Sequence, residues 1–131
     1  MTNKIIGKYG EDIAKDFLIK KGFKILEMNF KYSRMAEIDI IATKNNVLHF
    51  VEVKTRSQNF FGAPLEAINQ SKLKQMYTCA KYYLQNNKKH YKKIQIDAIG
   101  ILLSSDENKI EFIEDIQLWQ ILEQKKSVPN V

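Results

Sequence analysis

Residues 36–56 read AEIDIIATKNNVLHFVEVKTR, with two β-rich runs, residues 36–42 and 47–54, on either side of Lys44-Asn45-Asn46. Adjacent asparagines tolerate the positive φ angles of a tight turn, and β-rich runs flanking such a pair are typical of neighbouring antiparallel strands. The sequence therefore predicts a β-hairpin that turns at Asn45-Asn46.

A hairpin with this turn places charged residues of the two strands opposite each other. Asp39 faces Glu52, and Glu37 faces Lys54, on one face of the sheet. Opposed Cβ atoms lie ~4.5–5.5 Å apart, so paired carboxylates repel each other unless a cation or a proton lies between them. Carboxylates suit a hard divalent ion, and Lys54 beside it could hold or deprotonate a water. The alternative is a cross-strand salt-bridge ladder on a solvated strand face.

The segment before the hairpin, residues 4–20, has apolar side chains at helical spacing, and Gly22 stands where a C-terminal cap belongs. The predicted buried stripe consists of Ile6, Tyr9, Ile13 and Phe17. Glu11 borders the packed side, where it either reaches the ion or extends to solvent. Gly7 and Gly10 each cost about 1 kcal/mol relative to Ala in a helix, so a packing reason is expected for them.

The rest of the chain completes one α/β domain with a mixed sheet between helices, in the order α-β-β-β-α-β-β-α. Asn69 is predicted to cap a helix whose buried stripe is Leu73, Met76, Tyr77, Ala80, Tyr83 and Leu84. The other predicted elements are a first strand over residues 23–29, a short helix opening at Pro64, strands over 94–103 and 110–113, and a helix over 116–122. The expected domain is 1–124, with a flexible tail over 125–131.

Length and composition agree with one globular domain, since 131 residues fall within the ~100–200 of a typical domain. The single cysteine, Cys79, excludes an intramolecular disulfide and a cysteine-rich zinc site, and packing is its expected role. No apolar run approaches the roughly 18 residues of a membrane span, and residues 1–8 lack the core of a signal peptide. We therefore expect a cytoplasmic protein without a membrane partner.

The positive charge is concentrated in one segment of the chain. The net charge is +6, and residues 67–96 contain no acid. The lysines of that segment are Lys72, Lys74, Lys81, Lys88, Lys89, Lys92 and Lys93. Such a segment indicates a polyanion partner, with nucleic acid first and an anionic membrane second. The alternative is a solvated helix face that confers only solubility.

Other chemistries have little support in the sequence. His49 and His90 lack zinc-site spacing, and His49 falls on the strand face opposite to Glu52, so a structural role is expected for it. The tyrosines 77, 82 and 83 are interpreted as core and helix surface rather than as a base-stacking platform.

The acid on one strand followed by Glu52-Val53-Lys54 on the next resembles the signature of the PD-(D/E)xK nuclease superfamily. More narrowly, the chain resembles the bacterial YraN-like family, which is related to archaeal Holliday junction resolvases. The similarity runs from about residue 7 to residue 97. It includes Gly7-x-x-Gly10-Glu11-x-x-Ala14, the two strands, Gly62-x-Pro64 and Lys72.

This resemblance implies an αβββαβ restriction-endonuclease-like core and a metal-dependent nuclease site. Asp39 and Glu52 would bind Mg²⁺ or Mn²⁺, Glu11 would complete the metal shell, and Lys54 would act on the attacking water. Glu37, Arg56 and Lys72 are possible supporting residues.

The first functional hypothesis is therefore a structure-selective DNA endonuclease, in which the seven lysines of residues 67–96 contact phosphates. Symmetric cutting of two strands would favour a homodimer. The alternatives are a non-catalytic nucleic-acid-binding module and an assembly factor that docks through its basic face.

Overall fold

The computed structural model describes residues 2–34, 36–57, 66, 68–117 and 120. Its elements are α1 (Asn3–Lys20), β1 (Lys24–Ser33), β2 (Ala36–Lys44), β3 (Val47–Arg56), α2 (Gln70–Gln85), β4 (Lys93–Leu102) and β5 (Lys109–Ile113). The predicted element order is confirmed as far as β5. The predicted helix at Pro64, most of the predicted last helix and the predicted tail lie outside the described residues. None of the helices described is long and apolar enough to cross a membrane.

The hairpin between β2 and β3 has the predicted turn. Asn45 and Asn46 adopt φ angles of 53° and 62°, the left-handed conformation that a two-residue type I′ turn requires at both positions. The register runs from Lys44 opposite Val47 to Ile40 opposite Val51. The predicted pairing is therefore confirmed over this part of the hairpin.

The five strands form one mixed sheet in the order β1-β2-β3-β4-β5. Only β3 and β4 are parallel among these neighbours, and α2 forms the crossover that a parallel pair requires. The fold class is thus the predicted αβββαβ core with a mixed sheet flanked by helices. The first strand is longer than predicted, because β1 pairs with β2 as far as Ser33 opposite Ala36.

The central strand β3 contributes to an apolar core on each face of the sheet. Leu48 and Phe50 pack with the buried side of α2, which includes Met76 and the predicted packing residue Cys79. Val51 and its neighbours on the opposite face pack against α1. Because both faces of β3 are covered, the charged side chain of Glu52 near its C-terminal end is partly desolvated, whereas that of Lys54 is exposed.

The buried stripe of α1 differs from the prediction by one position. Gly10, Ala14 and Leu18 face the sheet, whereas Tyr9 is 49% exposed. The reason is close packing, since a Cβ at position 10 would lie 1.7 Å from Thr55 Oγ1. Small residues let the helix approach β3, and Glu11, which follows Gly10, is consequently half-buried.

Gly10→Ala is expected to destabilise the fold by about 1–3 kcal/mol or more, because the added methyl group must displace Thr55. Gly7→Ala is the matched control in the same helix. A Cβ at position 7 meets nothing within 4 Å, so this change should be neutral or stabilise by up to about 1 kcal/mol. Urea denaturation measures both variants. Equal stability of the two would contradict the close approach at Gly10.

Both predicted helix caps are present. Gly22 has φ +94°, and the N–H groups of Gly22 and Phe23 donate to the carbonyls of Ile19 and Leu18, which is the Schellman arrangement. Asn69 Oδ1 accepts a 2.7 Å hydrogen bond from the N–H of Lys72. This second cap fixes Lys72 in the first turn of α2, close to the C-terminal half of β3.

Candidate active site

The strands β2 and β3 separate where the acidic residues lie. In the described residues their register ends at Ile40 opposite Val51. The predicted opposed pairs, Asp39 with Glu52 and Glu37 with Lys54, are therefore not part of the ladder. Further along, the N–H of Val53 donates a 2.8 Å hydrogen bond to Asp39 Oδ2, a side-chain oxygen rather than a strand carbonyl. The hydrogen bond holds the Asp39 carboxylate beside β3, at the edge of the opening between the strands.

A pocket of about 420 Å³ opens at this point. Helix α1 contributes Glu11 to its lining, β2 contributes Asp39, and β3 contributes Glu52, Lys54 and Arg56. All four residues predicted to be catalytic therefore line one cavity, together with one of the predicted supporting residues. Three separate elements bring them together, and the close approach of α1 to β3 is what places Glu11 within reach of the strands.

The carboxylate of Glu52 is poorly satisfied by protein donors. Its Oε2 atom is shielded from solvent and accepts no well-aligned hydrogen bond within the described part of the chain. Lys72 Nζ lies 3.2 Å away and forms an ion pair with it. A buried carboxylate oxygen needs a hydrogen-bonding or charged partner, and the Lys72 ammonium is that partner for Glu52.

Burial and mutual repulsion raise the pKa values of the three carboxyl groups. Desolvation and then the charge of Asp39 raise the pKa of Glu52 to about 7, against the opposing effect of Lys72. Desolvation and then the charges of Asp39 and Glu37 raise the pKa of Glu11 to about 7. Desolvation also raises the pKa of Asp39, although the Val53 hydrogen bond opposes it.

The donor set fits the ion that the resemblance implies. Carboxylate oxygens, which Glu11, Asp39 and Glu52 supply here, are the ligands that Mg²⁺ and Mn²⁺ prefer. The predicted supporting residues differ in placement. Glu37 lies opposite Lys31 of β1, while Arg56 lines the pocket and Lys72 pairs with Glu52.

Lys72→Met is expected to raise the pKa of Glu52 from its value of about 7, because the lysine charge lowers that pKa. Carboxyl-carbon NMR titration in EDTA measures the midpoint directly. Lys74→Met is the control, since Lys74 lies on the same helix with an exposed side chain. An unchanged Glu52 midpoint in Lys72→Met would show that the ion pair contributes nothing.

The other predicted nucleic-acid-binding lysines extend away from the pocket. Lys74 and Lys81 are exposed on α2, and Lys88, Lys89 and Lys92 are exposed in the segment that follows. Lys93 lies opposite Val47, at the hairpin end of the sheet, roughly 17 Å along β3 from Glu52 at ~3.3 Å per residue. Lys93 also forms an ion pair with Asp115. These basic residues are thus distributed over α2, the segment after it and the hairpin end of the sheet, outside the pocket lining.

A buried polar network, which sequence reasoning did not detect in full, lies on the α1 face. His49 is 4% exposed, and its Nδ1 donates to Asp97 Oδ2 at 2.6 Å, which agrees with a structural role. Asp97 also accepts from Gln95 Nε2 at 3.0 Å and from the N–H of Asp115 at 2.9 Å. The Glu114 carboxylate comes within 4.8 Å of the ligand atoms of this pair. Three donors thus satisfy the Asp97 carboxylate, which gives the network a structural role. Two of the three, His49 and the N–H of Asp115, are distant from Asp97 in sequence.

These features define a class of protein, a single α/β domain with an acidic pocket between separating strands and lysines beside it. The chain belongs to the uncharacterised protein family UPF0102, which it matches over residues 10–101. It is 47% identical over 104 residues to a UPF0102 protein of Dictyoglomus thermophilum, covering 79% of this chain and 87% of the relative.

Two further relatives show the same extent of similarity. A UPF0102 protein of Clostridium perfringens strain 13 is 45% identical over 115 residues, covering 86% of this chain and 93% of the relative. One from Syntrophomonas wolfei is 38% identical over 111 residues, covering 85% and 96%. The matched family region includes every residue of the candidate site.

Proposed function

We propose that this protein is a metal-dependent endonuclease that hydrolyses phosphodiester bonds in DNA, with a preference for branched or junction substrates. The observation that carries the proposal is the convergence of Glu11, Asp39, Glu52 and Lys54 on one pocket. Paired acids can hold a divalent ion, and a bound ion assists the attack of water on a phosphodiester.

In this proposal Asp39, Glu52 and Glu11 hold Mg²⁺ or Mn²⁺. When bound, the ion would supply positive charge that neutralises the phosphate and the leaving oxygen. Lys54, whose exposed side chain lines the pocket, holds the attacking water as an ammonium or takes its proton as a neutral amine. Lys72 supports the site by keeping the Glu52 carboxylate in position through the 3.2 Å ion pair.

The lysines of α2 and the following segment bind the substrate backbone. Lysine makes point-charge contacts with phosphates, so binding is expected to weaken steeply with salt and to be almost independent of base sequence. Selectivity then has to come from the shape of the nucleic acid. Cutting both strands of a junction symmetrically requires two active sites, so the proposal includes a homodimer on such substrates.

The test is a cleavage assay on linear, nicked, flapped and four-way DNA, with matched RNA substrates, in Mg²⁺, Mn²⁺ or EDTA. We expect cleavage only with metal, faster on branched DNA, and its loss in Glu52→Gln purified identically, which controls for a contaminating nuclease. DNA binding without cleavage under any condition would instead indicate a non-catalytic binding module. Failure to bind or cleave any nucleic acid would leave the assembly factor as the better interpretation.

A further inference from the structure

The exposed side of α2 carries lysine and tyrosine side chains and no acid. Lys74, Tyr77, Lys81 and Tyr82 are all exposed, at spacings that place them along one side of a helix. Tyr77 was predicted to be buried, and the structure corrects this, since its side chain is 43% exposed. Cys79 is buried in its place, together with the predicted residues Leu73, Met76, Ala80 and Tyr83.

One of these tyrosines forms an exposed aromatic platform with a residue of the sheet. The rings of Tyr82 and Tyr32 have centroids 4.7 Å apart, and the two residues are 39% and 42% exposed. Phe30 lies behind them, with its centroid 6.2 Å from Tyr82 and 5.3 Å from Tyr83. Tyr83 in turn contacts the core residue Phe50 at 6.0 Å. The exposed rings therefore rest on a continuous row of aromatic side chains that extends into the core.

The geometry points to a binding site for unpaired bases, and this inference rests on the proposed function. Rings anchored on a rigid core and interleaved with lysines match the requirements for single-stranded nucleic acid. Bases stack on aromatic faces, and lysines follow the phosphates. A paired duplex offers no free base faces, so Tyr32 and Tyr82 would add little to duplex binding.

The position of the platform relates it to the candidate active site. Lys72, which pairs with Glu52, lies in the first turn of α2. Tyr82 lies ten residues after Lys72, which is ~15 Å along the helix axis at 1.5 Å per residue. A strand that leaves the pocket along α2 reaches Tyr82 within a few nucleotides. The substrate class is therefore a nucleic acid with a single-stranded arm next to the cleaved bond, such as a flap or a splayed junction.

The test measures fluorescence anisotropy of a labelled oligothymidine and of a blunt duplex of equal length, in EDTA so that nothing is cleaved. Tyr32→Ala/Tyr82→Ala is expected to weaken single-strand binding by about 5- to 100-fold and duplex binding by less than about twofold. Tyr32→Phe/Tyr82→Phe should bind almost like the wild type, because phenylalanine keeps the ring. Tyr9→Ala is the control for loss of an exposed tyrosine elsewhere. An oligouridine arm shows whether RNA is bound equally.

Tyr32→Leu/Tyr82→Leu separates stacking from folding, since leucine still covers Phe30 but offers no aromatic face. It should fold normally by thermal denaturation and bind single strands as weakly as the alanine variant. Unchanged single-strand binding in either variant, or equal loss for single strands and duplex, would overturn the inference. The cleavage assay tests the proposed function separately. An enzyme that cuts DNA but shows no stacking effect would disprove only the platform.

Discussion

Asp39→Asn and Glu52→Gln are each expected to weaken Mn²⁺ and Mg²⁺ binding by more than about 100-fold and to abolish cleavage. Mutating a residue that hydrogen-bonds to a metal ligand already lowers metal affinity roughly 10–100-fold. These two carboxylates would be direct ligands, so a larger loss is expected. Each substitution keeps the shape of the side chain, so the fold should persist. Calorimetric titration with Mn²⁺ measures the affinity. Asp16→Asn, an exposed acid of α1, is the control. Unchanged Mn²⁺ affinity in both Asp39→Asn and Glu52→Gln would show that the metal does not bind in this pocket.

The same carboxylates predict how stability depends on pH in EDTA. The pKa values of Glu52 and Glu11 are raised from 4.5 to about 7 in the folded protein. Between these pH values the folded state binds more protons than the unfolded state, so the free energy of unfolding falls as the pH rises. Glu52→Gln removes one of these charges. It should melt at a higher temperature than the wild type above pH 7 and show a flatter pH profile between pH 5 and 8. If the wild type and Glu52→Gln had the same dependence of melting temperature on pH, the pKa of Glu52 would not be raised in the folded protein.

The hairpin could be predicted because its determinants are local. Asn45 and Asn46 specify the turn, and the turn fixes which residues of β2 and β3 are opposed. Continuing that register along the strands also predicts that Asp39 and Glu52 lie close together, and both line the pocket. What the register could not predict is the separation of the strands, which accompanies the hydrogen bond from the Val53 N–H to the Asp39 side chain.

Features that depend on distant parts of the chain were less predictable. The hydrophobic spacing of α1 suggested a stripe through Tyr9, but packing selected the small residues beginning at Gly10, since they allow the closest approach to Thr55. The Lys72–Glu52 ion pair requires the crossover through α2, and the His49–Asp97 hydrogen bond requires the parallel pairing of β3 with β4. Neither contact leaves a signal in short-range periodicity.

Lys54→Ala is expected to lower the cleavage rate by roughly 10²- to 10⁴-fold, the usual contribution of a group that assists proton transfer. Metal binding should persist or tighten slightly, because the change removes a positive charge from the pocket that Glu52 and Asp39 share. Replacing Lys54 should therefore lower cleavage alone, whereas replacing Asp39 or Glu52 should lower both metal binding and cleavage. Single-turnover cleavage and Mn²⁺ calorimetry on the same preparation measure the two effects.

Lys54→Arg separates charge from proton transfer at this position. Arginine keeps the positive charge but cannot be deprotonated, so it restores activity only if Lys54 acts by charge or by holding the water. Activity as low as in Lys54→Ala would support transfer of the water proton to Lys54. Lys24→Ala is the matched control, since Lys24 is an exposed strand lysine opposite Thr43, near the hairpin end of the sheet. If Lys54→Ala cleaves as fast as Lys24→Ala, the attacking water is handled by another group, and the pocket binds metal without help from Lys54.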